Sequence, residues 1–200
     1  MKKLLGTAVV LLTLLPSPAV AHRLDEYLQA TIFSIDADRI DASMRLVPGV
    51  AVAPAIIASI DTDGDGVLSP AEQRAYAQRV LHDLALKLDD RPLTLQLSSV
   101  NFPSIDQMKQ GLGEIQLSFT ASTGSGAHRT LTFENRHWPS ISVYLVNSLV
   151  PQDEKVQIAQ QSRNENQSFY QLDFVQDPAG PRLNRFPGFS GFAGAYRLGL

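Results

Sequence analysis

Residues 27–35, YLQATIFSI, alternate bulky or β-branched side chains with smaller or polar ones, and residues 40–46, IDASMRL, repeat the pattern beyond the turn Asp36-Ala37-Asp38. A period of two places alternate side chains on opposite faces, as a half-buried strand requires. Two such runs across a short polar turn predict a β-hairpin. Further along the chain, strand signals return at Leu93–Val100, Gly113–Ala121, Arg129–Asn135 and Ile141–Val150. Val156–Gln161 and Gln167–Val175 close the series around the polar turn Ser162–Asn166, where Arg163-Asn164-Glu165-Asn166 reads as turn chemistry. Short strands at this spacing predict a mainly-β chain, an Ig-like antiparallel β-sandwich.

The strand pattern is interrupted over about residues 51–87, which are Ala-rich and helically spaced on either side of an Asp/Gly-rich loop. Residues 61–72 read DTDGDGVLSPAE and fit the twelve-residue EF-hand pattern at each position. Asp61, Asp63 and Asp65 stand at positions 1, 3 and 5, and Gly66 at the sharp turn. Val67 offers its carbonyl, Ser69 acts through a water, and Glu72 is the bidentate ligand. A hard divalent cation takes oxygen ligands, and alternating Asp residues in a tight turn aim their carboxylates at one point. Calcium is the expected ion. Leu68 is expected to face away from it, into the core.

The flanks agree with the loop. Pro54 suits the first turn of an entering helix over 54–60, and Ser69-Pro70-Ala71-Glu72 is a capping box that starts the exiting helix inside the loop. Tyr76, Ala77, Val80, Leu81 and Leu84 supply that helix with its apolar stripe. EF-hands usually pair, and no second loop is found in this sequence. A lone hand inserted in a sandwich points to structural calcium rather than to a sensor.

The first residues carry a different signal. Lys2 and Lys3 precede the mostly apolar run Leu4–Leu15, Pro16 and Pro18 follow, and Ala19-Val20-Ala21 is a small-x-small cleavage site. This is the pattern of a secretory signal peptide over 1–21, and cleavage after Ala21 would expose His22. The expected location is the periplasm or the extracellular medium. No later stretch has the roughly 18 apolar residues of a membrane span. The sandwich is expected over 22–177 and an irregular Gly/Pro/Phe/Arg tail over 178–200. Without Lys2 and Lys3 the charge balance is 15 basic against 20 acidic residues, a net −5 that gives no footprint for nucleic acid. The chain has no cysteine, which excludes disulfides, thiolate metal sites and a cysteine nucleophile.

The start HRLDEYLQATIFSI, the run LVPGVAVAP leading into DTDGDGVLSPAE, the phrase LTFENRH and the stretch SVYLVNSLVP…RNENQS carry a family likeness. They resemble the extracytoplasmic N-terminal region of HupE/UreJ-like membrane proteins, a group associated with nickel or cobalt uptake. The similarity runs from about His22 to Val175. Members of that group continue into several membrane helices, which are not found in these 200 residues. The resemblance therefore implies a periplasmic module that binds a metal or assists a membrane-transporter or periplasmic protein partner, rather than transport itself.

A second metal reading rests on His22. A free α-amine and an imidazole on one residue can chelate Cu²⁺ or Ni²⁺, and His137 is the candidate second imidazole. On this alternative the protein is a transition-metal (Cu, Ni or Co) binder that aids a transporter. Catalysis is not expected: the sequence has no GxSxG, no HExxH and no phosphate-cradling glycine loop. Glu134 and Arg136 read as a paired surface couple. The reading favoured by the residues is an exported calcium-binding accessory module.

Overall fold

The computed structural model describes residues 25–124 and 126–176. The signal-peptide segment, His22 and the 178–200 tail lie outside them. In chain order the elements are β1 (Tyr27–Ile35), β2 (Arg39–Pro48), α1 (Ala53–Ile60), α2 (Pro70–His82), β3 (Leu84–Leu88), β4 (Arg91–Pro92), β5 (Gln96–Asn101), α3 (Ile105–Lys109), β6 (Ile115–Ser122), β7 (His128–Asn135), β8 (Ser142–Ser148), β9 (Val156–Arg163) and β10 (Phe169–Gln176).

The strands form two five-stranded sheets, ordered β5-β6-β2-β1-β8 and β4-β3-β7-β10-β9. The predicted hairpin is present, with Ile35 opposite Ile40 and Tyr27 opposite Pro48. Phe33 of β1 meets Phe133 of β7 edge-on at 5.0 Å and stacks on Tyr170 of β10 at 6.1 Å, so the two sheets share one core. Inward residues alternate along each central strand, as in Ile115, Leu117, Phe119 and Ala121 of β6. The architecture is sandwich-like and mainly β, as expected.

Three details depart from expectation. The pairing is not wholly antiparallel, because β8 runs parallel to β1, with Leu28 opposite Val143. The chain crosses from one sheet to the other between β7 and β8, so no hairpin dictates their relative direction. Leu84 does not extend the stripe of the exiting helix. Asp83 caps α2, and Leu84, Leu86 and Leu88 then alternate inward as β3 of the second sheet. A leucine eight residues after Tyr76 satisfies both the helical period and the start of a period of two, and sheet pairing with β7 decides between them. The helical insertion therefore ends at Asp83 rather than near residue 87. The short helix α3 was not foreseen. It is opened by a Ser104/Gln107 capping box and buries only Met108.

β1 has an unusual inner face. Its inward residues are Tyr27, Gln29, Thr31, Phe33 and Ile35, so two polar side chains point into the core while Leu28, Ala30 and Ile32 face outward. Gln29 is fully buried, and its partners define a second region of interest described below.

Candidate metal loop and the buried polar chain beside it

α1 buries Ala53, Ile56, Ile57 and Ile60, which fixes where the loop begins. Asp61 caps the helix, and its carboxylate turns back over the loop to accept Gly64 N–H at 2.9 Å and Gly66 N–H at 3.1 Å. Asp63 accepts from Asp65 N–H at 3.2 Å, and Asp65 from Val67 N–H at 2.8 Å. Gly64 and Gly66 have φ of +73° and +81°, the left-handed region that side chains with a Cβ avoid. The loop folds because its carboxylates bind its own amides and its glycines permit the reversals.

This arrangement brings one carboxylate oxygen from each of Asp61, Asp63 and Asp65 within 4.8 Å of one another. Among the described residues none of the three makes a salt bridge to a basic side chain. Three hard, anionic oxygens without a cationic partner suit an oxygen-seeking divalent ion, not a nitrogen-seeking one. Val67 is exposed, and Leu68 is half-buried against the core with its carbonyl bound by Gln73 Nε2 at 2.8 Å.

Glu72 is placed differently. It is not part of the three-aspartate group, and its two oxygens join the ends of the loop. One accepts from Thr62 N–H at 2.6 Å and Thr62 Oγ1 at 3.1 Å, the other from Ser69 N–H at 3.0 Å and Ser69 Oγ at 2.8 Å. Ser69 Oγ in turn accepts Glu72 N–H at 3.3 Å, completing the expected capping box. The Ser69 bonds, with help from Thr62, hold the Glu72 carboxyl down at about 2. Ser69 thus serves the helix start.

The other candidate, His137, lies just beyond β7 and is almost wholly buried, at 3% exposure. Both ring nitrogens are engaged: Nδ1 with Asp83 Oδ2 at 2.7 Å, Nε2 with Tyr76 Oη at 3.0 Å. Tyr76 Oη is in turn 2.7 Å from Tyr27 Oη. The backbone is gripped as firmly. The His137 carbonyl accepts from Gln29 Nε2 at 2.8 Å, Ser142 Oγ at 3.1 Å and Tyr144 Oη at 3.0 Å. Its amide donates to Asn135 Oδ1 at 2.9 Å, and Asn135 Nδ2 donates to Gln29 Oε1 at 2.9 Å. The next residue, Trp138, has φ of +49°, a strained value for a bulky side chain.

Burial lowers the affinity of His137 for a proton below the ordinary imidazole value of 6.5, although Asp83 opposes the shift. Burial likewise raises both Tyr27 and Tyr76 above the usual phenol range. All three groups are neutral near pH 7. Glu134 and Arg136 pair with each other on the surface at 2.5 and 2.9 Å, as expected of a surface couple. Sequence reasoning missed Tyr27, Gln29, Tyr76, Asp83 and Asn135 as a set. Tyr76 lies 61 residues from His137 and Asp83 lies 54, so no local spacing could mark them. Comparison with protein-family models, curated proteins and solved structures gave no match to this chain.

Proposed function

We propose that the protein is an exported calcium-binding module in which the ion is a structural staple, and that it acts by binding rather than by catalysis. The observation that supports this reading is the convergence of Asp61, Asp63 and Asp65 oxygens in a loop that follows the EF-hand spacing. The ion would draw ligands from those three carboxylates, the Val67 carbonyl and Glu72, and it would relieve the mutual repulsion of the aspartates. Its ends belong to α1 and α2, whose apolar faces are buried, so a filled loop would hold both helices at one separation. The signal-like first 21 residues and the resemblance to HupE/UreJ-like extracytoplasmic regions support a periplasmic setting beside a membrane-protein partner.

The test is a thermal melt in EGTA and in about 10 mM calcium, with Glu72→Gln alongside. Extracellular modules bind calcium at about 10⁻⁴–10⁻³ M. At about 10 mM that is a ten- to hundredfold excess over Kd, a linkage stabilisation of about 1.4–2.7 kcal/mol. For a domain of this size that is a rise of about 3–10 °C in Tm. The rise is expected in the wild type and is expected to be lost in Glu72→Gln. An unchanged Tm together with no calcium uptake by calorimetry overturns the reading.

A further inference from the structure

The sheet β5-β6-β2-β1-β8 turns an apolar strip to solvent at its β8 edge. Outward residues of β1 and β8 lie side by side there, Leu28 beside Val143 and Ala30 beside Leu145, with Ile32 continuing the row and Leu149 just beyond β8. Leu145 is 45% exposed and Leu149 54%. Single exposed aliphatic side chains are ordinary, but a contiguous row of six marks a surface that something covers. Two grooves open on the strip and meet at Ile32, one running toward Leu145 and Arg163, the other toward Ser43 and Asp41.

Charge and hydrogen bonding select the cover. A strand added at the β8 edge is disfavoured, because the Val146 carbonyl already accepts Arg163 Nε at 2.8 Å and Val146 N–H donates to Gln167 Oε1 at 3.4 Å. A second copy is disfavoured too. Residues 25–176 carry 11 basic against 19 acidic side chains, a net −8, and like charges of that size oppose close approach. Residues 177–200 have the opposite sign, with Arg182, Arg185 and Arg197 against Asp177 alone, a net +2. The fold delivers them to the right place. Gln176 is buried at the end of β10, and its side-chain amide donates to the Ala37 carbonyl in the β1–β2 turn. That turn and the start of β2 hold Asp36, Asp38 and Asp41 around one basic residue, Arg39, which bonds Asp36 and Asp41.

We propose that segment 182–192 of this same chain folds back over the strip and lays Phe186, Phe189 and Phe192 along the outward row of β1. The segment reads RLNRFPGFSGF, with the aromatic rings three residues apart and only Pro, Gly and Ser between them. In a polyproline-type strand three residues make one turn and rise about 9 Å, so the three rings fall on one side and span about 19 Å. The strip runs along β1 from Ser34 back to Leu28, about 20 Å at the rise of a strand. Reach is ample: Phe186 follows Gln176 by ten residues. Those ten residues extend to about 33 Å, against roughly 17 Å from Ala37 back to Ile32. On the way Arg182 and Arg185 pass the aspartates of the β1–β2 turn, which outnumber Arg39. The apolar face is then closed by the chain itself.

The test is disulfide trapping in the full chain, which has no cysteine of its own, so an introduced pair is unique. Ser43 is exposed and stands opposite Ile32 in the β1–β2 ladder. Ser43→Cys is combined with Ser190→Cys and oxidised at micromolar concentration. In the control, Lys87→Cys, exposed on β3 of the other sheet, takes the place of Ser43→Cys. Far-UV dichroism checks that each variant keeps its sheets. A docked segment is expected to form the link within one chain at least roughly tenfold faster with Ser43→Cys than with the control, beyond what tethering alone supplies. Replacing Phe186, Phe189 and Phe192 together by Ser should bring that rate down to the control. Equal rates for the two pairs, or a fast rate that survives loss of the three phenylalanines, overturns the proposal. So does a covalent dimer of Ser43→Cys alone from a wild type that sediments as a dimer, a result that assigns the strip to a second copy.

Discussion

Gly66 illustrates how much of the loop is backbone chemistry. Its φ of +81° lies where an L side chain crowds its own carbonyl, yet a Cβ built there would meet nothing within 4 Å. The cost of Gly66→Ala is therefore conformational and not steric, on the order of 1 kcal/mol. The strained loop must also relax, which spreads the three aspartate oxygens. Two effects are expected from one substitution: a Tm lower by a few degrees in EGTA, and a smaller calcium-induced rise. A wild-type melting curve in EGTA would count against this account of the turn. The convergence of Asp61, Asp63 and Asp65 was legible because it follows from their spacing in one short turn, whereas the bonds that join Glu72 to Thr62 as well as to Ser69 came only with the structure. His137 was not legible in the same way, since its surroundings come from elements far away in sequence.

At the scale of elements, α2 carries both ends of the argument: its first turn is the loop and its cap is Asp83. Ser69 accepts Glu72 N–H and donates to its carboxylate, so Ser69→Ala removes one bond from the helix start and another from the acid. The loss is about 1 kcal/mol, or about 2–4 °C in Tm for a chain of this size. A pH effect accompanies it. Because Glu72 is held at about 2 in the folded protein against an ordinary 4.5, its contribution is complete above 4.5 and is lost as pH falls toward 2. Removing Ser69 Oγ raises the folded value, so the variant should lie furthest below the wild type near neutrality, with the gap narrowing in acid. A gap that stays constant from pH 7 to 3 would place the effect in the helix alone. The same helix marks the limit of sequence periodicity. Tyr76, Ala77, Val80 and Leu81 were readable as its buried stripe, but Leu84 fits a helix or a strand equally well. Only the ladder with β7 resolves it.

For the whole molecule, the question is whether the insertion melts with the sandwich or apart from it. The alternation that predicted the sheets could not show that β1 buries Gln29 in place of a leucine, because an inward amide is favourable only when distant groups satisfy it. Those groups are Asn135, Ser142 and the His137 carbonyl, drawn from β7, β8 and the turn between them. The polar chain continues through Tyr76 into α2, so helices and sheets share one buried network at neutral pH. Unfolding should then be a single transition. Trp138, the only tryptophan, packs beside His137 at 6.4 Å and reports on this junction, while far-UV dichroism reports mainly on the strands. Coincident denaturant curves from the two signals are expected at pH 7.5. Phe133→Ala provides the stringent case, since Phe133 is 1% exposed and packs on Phe33 across the sheets. It should cost about 3–5 kcal/mol and lower both midpoints together, with the slope unchanged. If fluorescence keeps its wild-type midpoint while dichroism shifts, α2 and its loop fold as their own unit, and the network joins two bodies without making them one.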